Sequence, residues 1–166
     1  MSASPSSPLP PARSSAARTI VRATVDVAAP PEQVFDALTN PRELTEWWGS
    51  EDSYRTHDWQ VDPRAGGAWS ARTTDAEGAE GMIQGEFRVV DPPRLIECSW
   101  HASWDDGAPT ILRYELTPVV VDDLPGTRVT VTHTRLSARA EMAATYTPAW
   151  NHVLEWLAVH LSECLV

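Results

Sequence analysis

The sequence predicts an α+β fold of the helix-grip type, in which a curved antiparallel sheet of about seven strands surrounds one long C-terminal helix. Two observations predict it. Short strand-like segments separated by turn residues repeat from Tyr54 to His133, and an apolar stripe at helical spacing follows them. Two short helices are expected after the first strand. A sheet with one apolar face and a helix with one apolar stripe both bury their apolar surfaces if the sheet curls around the helix.

The first strand is predicted over residues 21–27, where apolar residues alternate with polar or smaller neighbours. Pro30-Pro31 then ends the strand, because proline donates no backbone hydrogen bond to a ladder. Apolar residues next recur at helical spacing, at Val34, Phe35 and Leu38. The segment therefore indicates a strand that leads into a short helix.

A second short helix is predicted in "NPRELTEWW". Asn40 is a plausible N-cap, Pro41 stands at the first helical position, and Glu43 lies three residues after the cap. The helix ends in the adjacent pair Trp47 and Trp48. Successive residues on a helix point in different directions, so both tryptophans cannot occupy one apolar stripe.

The central part of the chain reads as further strands. Aspartate, glycine and proline separate strand-like segments that are rich in β-branched and aromatic residues. These segments are "YRTHDWQVD", "AWSART", "GMIQGEFRVV", "RLIECSWHASW", "TILRYELTPVVV" and "TRVTVTHTRL". The turn between the last two is assigned to "DDLPG". In "DPRAGG", Gly66-Gly67 predicts a tight turn or bulge and Arg64 is expected to pair with a nearby carboxylate.

The C-terminal helix is predicted within residues 138–163. Its apolar residues recur at i, i+3, i+4, i+7 and i+11, at Trp150, Val153, Leu154, Leu157 and Leu161. Pro148 is the internal breaker. The long regular part of the helix is therefore expected to begin at Pro148.

Length and composition limit the possible architectures and partners. A length of 166 residues suits one domain with a single core. The 23 acidic and 13 basic residues give a formal charge of -10, and no cluster of basic residues could follow a phosphate backbone. No apolar run reaches the ~18 residues of a membrane helix. Nucleic acid and membranes are therefore not expected as partners.

The ends and the cysteines complete the domain assignment. Residues 1–18 are rich in Ser, Pro and Ala and are expected to be disordered, so one domain is predicted over 19–166. Cys98 and Cys164 fit no metal or redox motif, and no secretion signal is present, which predicts a reduced, cytoplasmic protein. The chain lacks the common hydrolase, nucleotide, zinc and dinucleotide motifs, so neither a metal nor a cofactor is expected.

Five blocks in order carry a family resemblance. They are "VDVAAPPEQVFDALTNPRELTEWW", "VDPRAGGAW", "GEFRVVDPPRLIECSW", "TRVTVTH" and "AWNHVLEWLAVHL". In order and spacing they resemble bacterial homologues of the activator of heat-shock-protein-90 ATPase, within the START-like (SRPBCC, polyketide cyclase/dehydrase and lipid transport) superfamily. The resemblance covers roughly residues 19–163. It implies a cavity between the curved sheet and the last helix, where related proteins hold small apolar ligands.

Strand parity predicts which side chains face that cavity. The inward apolar set includes Val61, Ile83, Val89, Ile96, Leu112, Leu116, Val129 and Val131, while Asp58, Glu86, Glu97 and Glu115 are expected to face outward. The candidate ligand-binding residues are Trp48, Trp59, Trp69, Phe87, Cys98, Trp100, Tyr114 and His133. For the aromatic residues, core packing alone is the competing interpretation.

Trp47 is expected in the core and Trp48 at the cavity mouth, although the reverse assignment, or both residues closing the end of the sheet, fits the sequence too. Gly49 would let the chain turn after them. His133 and Tyr114 are the only candidates for chemistry, and a hydrogen-bonded structural histidine is the competing interpretation of His133.

Three functions remain open. The favoured one is binding of a small hydrophobic or aromatic molecule without covalent chemistry. The alternatives are a cyclase-, aromatase- or hydrolase-like enzyme that uses His133 and Tyr114, and a module that acts on a chaperone partner. Open sheet edges would allow a homodimer.

Overall fold

A computed structural model describes residues 20–105, 108–134 and 140–163, and the side chains of 140–145 and 163 are not included. The segment expected to be disordered, 1–18, and Cys164 lie outside the described residues. The strands are β1 (Val21–Val27), β2 (Tyr54–Val61), β3 (Ala68–Asp75), β4 (Glu80–Asp91), β5 (Leu95–Ala102), β6 (Thr110–Val121) and β7 (Leu124–Thr134). The helices are α1 (Pro31–Thr39), α2 (Pro41–Trp47) and α3 (Ala140–Glu163).

The strands form one antiparallel sheet in the order β1-β7-β6-β5-β4-β3-β2. The first strand therefore pairs with the last, and every other pair consists of consecutive strands. Apolar residues alternate along the strands, so one face of the sheet is buried and forms the wall of the core. The predicted helix-grip architecture is confirmed.

Helix α3 buries the predicted apolar stripe in the core. The buried residues of the stripe are Trp150, Val153, Leu154, Leu157 and Leu161. The helix runs without a break from Ala140 through Pro148, so the expectation that its long regular part begins at Pro148 was wrong. Pro148 lies inside the helix; a proline removes one hydrogen bond, and packing of the stripe around it stabilises the helix despite that loss. None of the described helices has the length and apolar character needed to cross a membrane.

The two short helices begin as predicted. Asn40 caps α2 by accepting a hydrogen bond from the Arg42 backbone N–H at 3.0 Å, and Pro41 occupies the first helical turn. Glu43 does not complete a capping box. Its carboxylate instead bonds to Nε2 of His160 on α3 at 2.9 Å, which ties α2 to the long helix.

The alternation of inward- and outward-facing residues is kept along most strands. It is broken at two places where the strand register shifts, one in β2 and one in β4. Asp58 has a positive φ of 54°, and the β2–β3 register shifts between His57 and Gln60. The β4–β5 register shifts between Phe87 and Val89, so Val89 is 38% exposed and the prediction that it faces inward was wrong. A bulge adds one residue to a strand and reverses the facing of the residues beyond it.

The chain turns at the glycine and aspartate residues that predicted turns in the sequence. Arg64 Nε lies 2.9 Å from the Asp62 carboxylate beside the predicted turn at Gly66-Gly67. Between β6 and β7 the turn is shorter than predicted: only Asp122 and Asp123 separate the strands, with φ of 50° and 66°. Positive φ at both positions is characteristic of the tight two-residue hairpin turn, and aspartate tolerates it.

Candidate functional site

A continuous cluster of tryptophan rings fills the space between the sheet and the helices. Trp48 is its centre, because its ring centroid lies 5.3 Å from that of Trp47, 5.3 Å from Trp59, 6.4 Å from Trp100 and 5.8 Å from Trp150. Trp69 extends the cluster, at 6.2 Å from Trp59 and 5.7 Å from Trp100. Stacked, tilted and edge-on contacts of this kind add to the stabilisation from buried area.

The adjacent pair Trp47 and Trp48 is buried as a unit, each residue being 3% exposed. The Trp47 indole N–H donates to the Ala37 carbonyl at 2.8 Å, which joins α2 to α1. Trp48 follows the helix in an extended conformation, so its ring also turns inward, and its N–H donates to the Tyr54 hydroxyl at 3.0 Å. Trp47 is in the core as expected, but Trp48 lies in the interior rather than at a mouth open to solvent.

Gly49 makes this arrangement possible. Its φ is 138°, and a Cβ atom at this position would lie 2.6 Å from the Tyr54 carbonyl oxygen. Glycine adopts this backbone conformation without steric cost and leaves room for the close approach of β2. The predicted turn after the tryptophans is therefore present.

The interior contains a small cavity of about 30 Å³ among these rings. That volume is on the scale of one water molecule. Six of the eight candidate ligand-binding residues line it: Trp48, Trp59, Trp69, Phe87, Cys98 and Tyr114. Trp100 and His133 do not. The remaining lining residues are Leu38, Leu44, Val61, Ile96 and Leu112.

The sequence reasoning did not include Leu38 and Leu44 of the short helices among the site residues. Both occupy buried helical positions, and helical periodicity could have identified them as inward-facing. Their place beside the cavity depends on how α1 and α2 pack across the end of the sheet.

Tyr114 provides the polar group of the cavity. It is 6% exposed, and within the described residues its hydroxyl forms no hydrogen bond. Burial raises the pKa of Tyr114 well above its usual value, so the phenol stays neutral and can donate or accept one hydrogen bond. Burial also raises the pKa of the Cys98 thiol to about 12, which leaves it protonated and a poor nucleophile.

His133 is buried outside the cavity lining, and both of its ring nitrogens are bonded. The Trp150 indole N–H donates to Nδ1 at 3.1 Å, so the ring proton is on Nε2, which donates to Thr110 Oγ1 at 2.6 Å. The Thr110 hydroxyl then donates to the Trp100 carbonyl at 3.2 Å. Burial lowers the pKa of His133 to about 3, so the imidazole is neutral.

A family model described as Activator of Hsp90 ATPase homolog 1-like protein matches residues 28–162. The chain belongs to this family. No curated protein matches it significantly.

Solved structures with the fold of this family are similar along most of the chain. A Mycobacterium smegmatis protein, Ms6760, shares 21% identity over 91% of this chain and 93% of its own, with a TM-score of 0.73. DynU16, a putative protein in the dynemicin biosynthetic locus, shares 22% identity over 87% of this chain and 47% of its own, with a TM-score of 0.69. An HSP90 activator from Plasmodium falciparum shares 23% identity over 73% and 76%, with a TM-score of 0.52. At these identities the likeness shows the fold alone.

Tyr114 and His133, the two candidates for chemistry in this family member, are not hydrogen-bonded to each other among the described contacts. Tyr114 and His133 lie on the neighbouring strands β6 and β7, but each ring packs edge-on against Trp150, at 6.2 Å and 6.0 Å between centroids. No hydrogen bond connects the two residues among the described contacts. Proton transfer between them therefore has no direct route.

Tyr146 is a buried polar residue that the sequence reasoning missed. Its hydroxyl accepts a hydrogen bond from the Trp100 indole at 3.1 Å and donates to the Asp105 carboxylate. Burial and the Asp105 bond raise the pKa of Tyr146. The contact joins α3 to the loop after β5, and no local sequence signal indicates it.

Glu43, Glu46 and His160 place one ligand atom each within 4.8 Å of one another on the surface between α2 and α3. A divalent cation could bind such a set in principle. The direct bond between Glu43 and His160 already accounts for their approach, so the cluster reads as a contact between helices.

Proposed function

We propose that this protein binds a small planar apolar molecule in the cavity between the curved sheet and α3, without covalent chemistry. One observation carries the proposal: an aromatic wall encloses a cavity into which one buried hydroxyl, that of Tyr114, brings hydrogen-bonding capacity that no described residue uses. Ligand sites are typically apolar with a few polar groups that orient the ligand.

The aromatic rings that line the cavity favour a planar ligand. Trp48, Trp59 and Trp69 lie within stacking distance of one another, and a planar ligand would extend the same offset and edge contacts. The cavity of about 30 Å³ is smaller than a ring, so binding requires part of the wall to move. Such movement selects a less populated conformation of the protein, and the ligand stabilises it by filling the space.

Two further observations support this proposal over chemistry. The neutral, fully bonded His133 has no free nitrogen for a substrate, and the Cys98 thiol is protonated. We also propose the cytoplasmic location expected from the sequence; among the described residues, Cys98 forms no disulfide.

Indole is a suitable probe. In a ¹H-¹⁵N spectrum of the full chain, titration with indole should shift the indole N–H signals of Trp48, Trp59 and Trp69. The signal of Trp104, which is 55% exposed and outside the cavity, should not shift. Shifts spread evenly over all tryptophans, or none at saturating indole, would overturn the proposal.

The Tyr114 hydroxyl has its own test. Indole and 1-methylindole differ mainly in one hydrogen-bond donor, and the wild-type protein should prefer indole. Tyr114→Phe should abolish that preference, whereas Trp104→Phe should leave it intact. An unchanged preference in Tyr114→Phe would show that the hydroxyl does not orient the ligand.

A second candidate function is binding of a chaperone partner, and the tip of the β6–β7 hairpin favours it. Val120 and Leu124 at this tip are 75% and 58% exposed, which offers apolar side chains to a partner. If the tip is an interface, purified Hsp90 should bind the wild-type chain, and Val120→Asp with Leu124→Asp should lose binding without loss of stability. Failure of the wild-type chain to bind Hsp90 or alter its ATPase rate would remove this candidate.

A further inference from the structure

The lining of the small cavity carries no charge. Among the described residues that line it there is no aspartate, glutamate, arginine, lysine or histidine. Glu97, which precedes Cys98 in β5, lies on the outer face of the sheet and pairs there with Arg113 at 3.3 Å. An ion that moves from water into such a space loses its hydration and gains no ion pair. The cavity therefore favours a neutral ligand.

The indole N–H groups of the lining already have acceptors within the protein. Each donates one hydrogen bond: Trp48 to the Tyr54 hydroxyl at 3.0 Å, Trp59 to the Thr56 hydroxyl at 2.9 Å, and Trp69 to the Ser99 carbonyl at 3.2 Å. These tryptophans can stack on a ligand ring, but their donors are in use. The polar groups that remain in the lining are the Tyr114 hydroxyl and the Cys98 thiol.

The Tyr114 hydroxyl borders the cavity itself. In the part of the chain that the structure describes, every side-chain nitrogen or oxygen that is completely enclosed has a hydrogen-bond partner. The Tyr114 hydroxyl has none, so it borders the open space that this residue lines. A neutral phenol can accept a bond, from an indole N–H for example, but its lone pair is delocalised into the ring. Its O–H is therefore the stronger of its two capacities, and it favours a ligand with an acceptor.

Cys98 lies beside Tyr114 on the inner face of the sheet. Cys98 of β5 pairs with Leu112 of β6, and Ile96 pairs with Tyr114, so Cys98 and Tyr114 are diagonal neighbours, ~7–8 Å apart. Burial and, after it, the neighbouring Cys98 thiol raise the pKa of Tyr114. The thiol is protonated too, and an S–H group is a weak donor. We call these two residues the donor pair.

From the donor pair in an uncharged lining we infer that the ligand is a neutral aromatic carbonyl compound. Its ring packs among the tryptophans, and its carbonyl oxygen accepts a hydrogen bond from the Tyr114 O–H, with the Cys98 S–H beside it. A carbonyl oxygen has two lone pairs, so it can accept from both groups. This inference rests on the proposed function; it adds the class of ligand and makes Cys98 a second specificity-determining residue.

Three probes with one bicyclic skeleton test the ligand class. 1-Indanone carries a carbonyl, indane carries no polar group, and 2-aminoindane carries a positive charge at neutral pH. Affinities are measured from the Trp48 indole N–H signal in ¹H-¹⁵N titrations of the full chain. 1-Indanone should bind about three- to tenfold more tightly than indane, which corresponds to one net hydrogen bond. 2-Aminoindane should bind more weakly than indane, because its charge would be buried without a partner.

Tyr114→Phe should reduce the ratio of 1-indanone to indane affinity to near one and leave the affinity for indane unchanged. Tyr146→Phe is the matched control. It removes a buried hydroxyl that is bonded to Trp100 and Asp105 outside the cavity lining, so the wild-type ratio should be kept. If 1-indanone and indane bind the wild type equally, the ligand class is wrong although the cavity still binds a ring. If neither binds, the proposed function fails as well.

Infrared spectroscopy tests the hydrogen bond directly. A bond donated to a carbonyl oxygen weakens the C=O bond, so the carbonyl band of bound 1-indanone should lie at lower frequency in the wild type than in Tyr114→Phe. Cys98→Ser replaces the weak donor by a stronger one of similar size and should lower the frequency further. Equal frequencies in the wild type and Tyr114→Phe would overturn the role of Tyr114 as the donor. A frequency in Cys98→Ser at or above the wild-type value would exclude Cys98 from the donor pair.

Discussion

Two polar residues that both pack against Trp150 differ in how they are bonded. His133, which we call the structural end, accepts from Trp150 and donates to Thr110, and the series of bonds ends on a backbone carbonyl. Tyr114, which we call the binding end, faces the small cavity without a described partner. Buried polar groups are normally satisfied, so the difference separates a structural region from a binding region.

The comparison shows that a buried polar residue on an inner face is not by itself a functional signal. His133 and Tyr114 are on adjacent strands and equally inward, but only Tyr114 retains unused hydrogen-bonding capacity. Trp47 and Trp48 do not show this difference, because both indole N–H groups are hydrogen-bonded; Trp48 differs from Trp47 only in lining the cavity.

The largest effect is expected at the structural end. Trp150→Ala should lower the free energy of unfolding by ~3–5 kcal/mol, because it removes a buried ring and the donor to His133. Chemical denaturation measures the change, with Trp104→Ala at an exposed position as the control. Equal stability of the Trp150 variant and the control would refute the packing of α3 on the sheet.

The free energy of unfolding should depend on pH through His133. Its pKa is about 3 in the folded chain and near 6.5 when unfolded, so between these values the unfolded state binds the extra proton. Stability from this residue is complete above pH 6.5 and falls with pH, by ~1.4 kcal/mol per unit, until the folded residue is protonated. His133→Gln should therefore flatten the stability profile between pH 6.5 and 4.5 relative to His101→Gln. Parallel profiles in the two variants would contradict the low pKa.

Thr110 should have a smaller effect. Thr110→Val keeps the shape of the side chain but leaves the His133 Nε2–H without its acceptor, which costs ~1–3 kcal/mol. Thr117→Val, on the exposed part of the same strand, is the matched control. If thermal melts place both variants at wild-type stability, the His133 hydrogen bonds do not stabilise the fold.

The smallest effect is expected at the binding end. Tyr114→Phe should change the free energy of unfolding by less than ~1 kcal/mol, since the hydroxyl has no described partner to lose. A loss as large as that of Thr110→Val would mean that the hydroxyl has a structural bond, and the contrast between the two ends would disappear.

Much of the fold could be predicted because its signals are local. Alternation with a period of two placed Ile96, Cys98 and Trp100 on the inner face, and the cap at Asn40 marked the start of α2. Predictions failed where a distant contact outweighed the local pattern. The bulge before Val89 depends on pairing with β5, and helix α3 continues through Pro148 because its stripe packs on the core.

The site was predictable only in outline. Five of the six candidate residues that line the cavity lie on strands, where parity could place them because it does not depend on the size of the cavity. The volume of the cavity could not be predicted, since it is a small difference between the space enclosed by the elements and the volume of the rings that fill it. The burial of Trp48, which had been expected at a mouth, follows from the extended backbone after α2.

By itself, the sequence determined the order of the elements, the inner face of the sheet and the family. Periodicity, turn residues and caps act over a few neighbouring residues, so they can be read from the chain alone. Only the tertiary structure decided which polar groups are satisfied and which spaces stay open. The partners of His133 lie 17 and 23 residues away, and the Trp69 indole on β3 reaches the Ser99 carbonyl on β5. Such contacts depend on packing of the whole sheet around the helix, which no local pattern specifies.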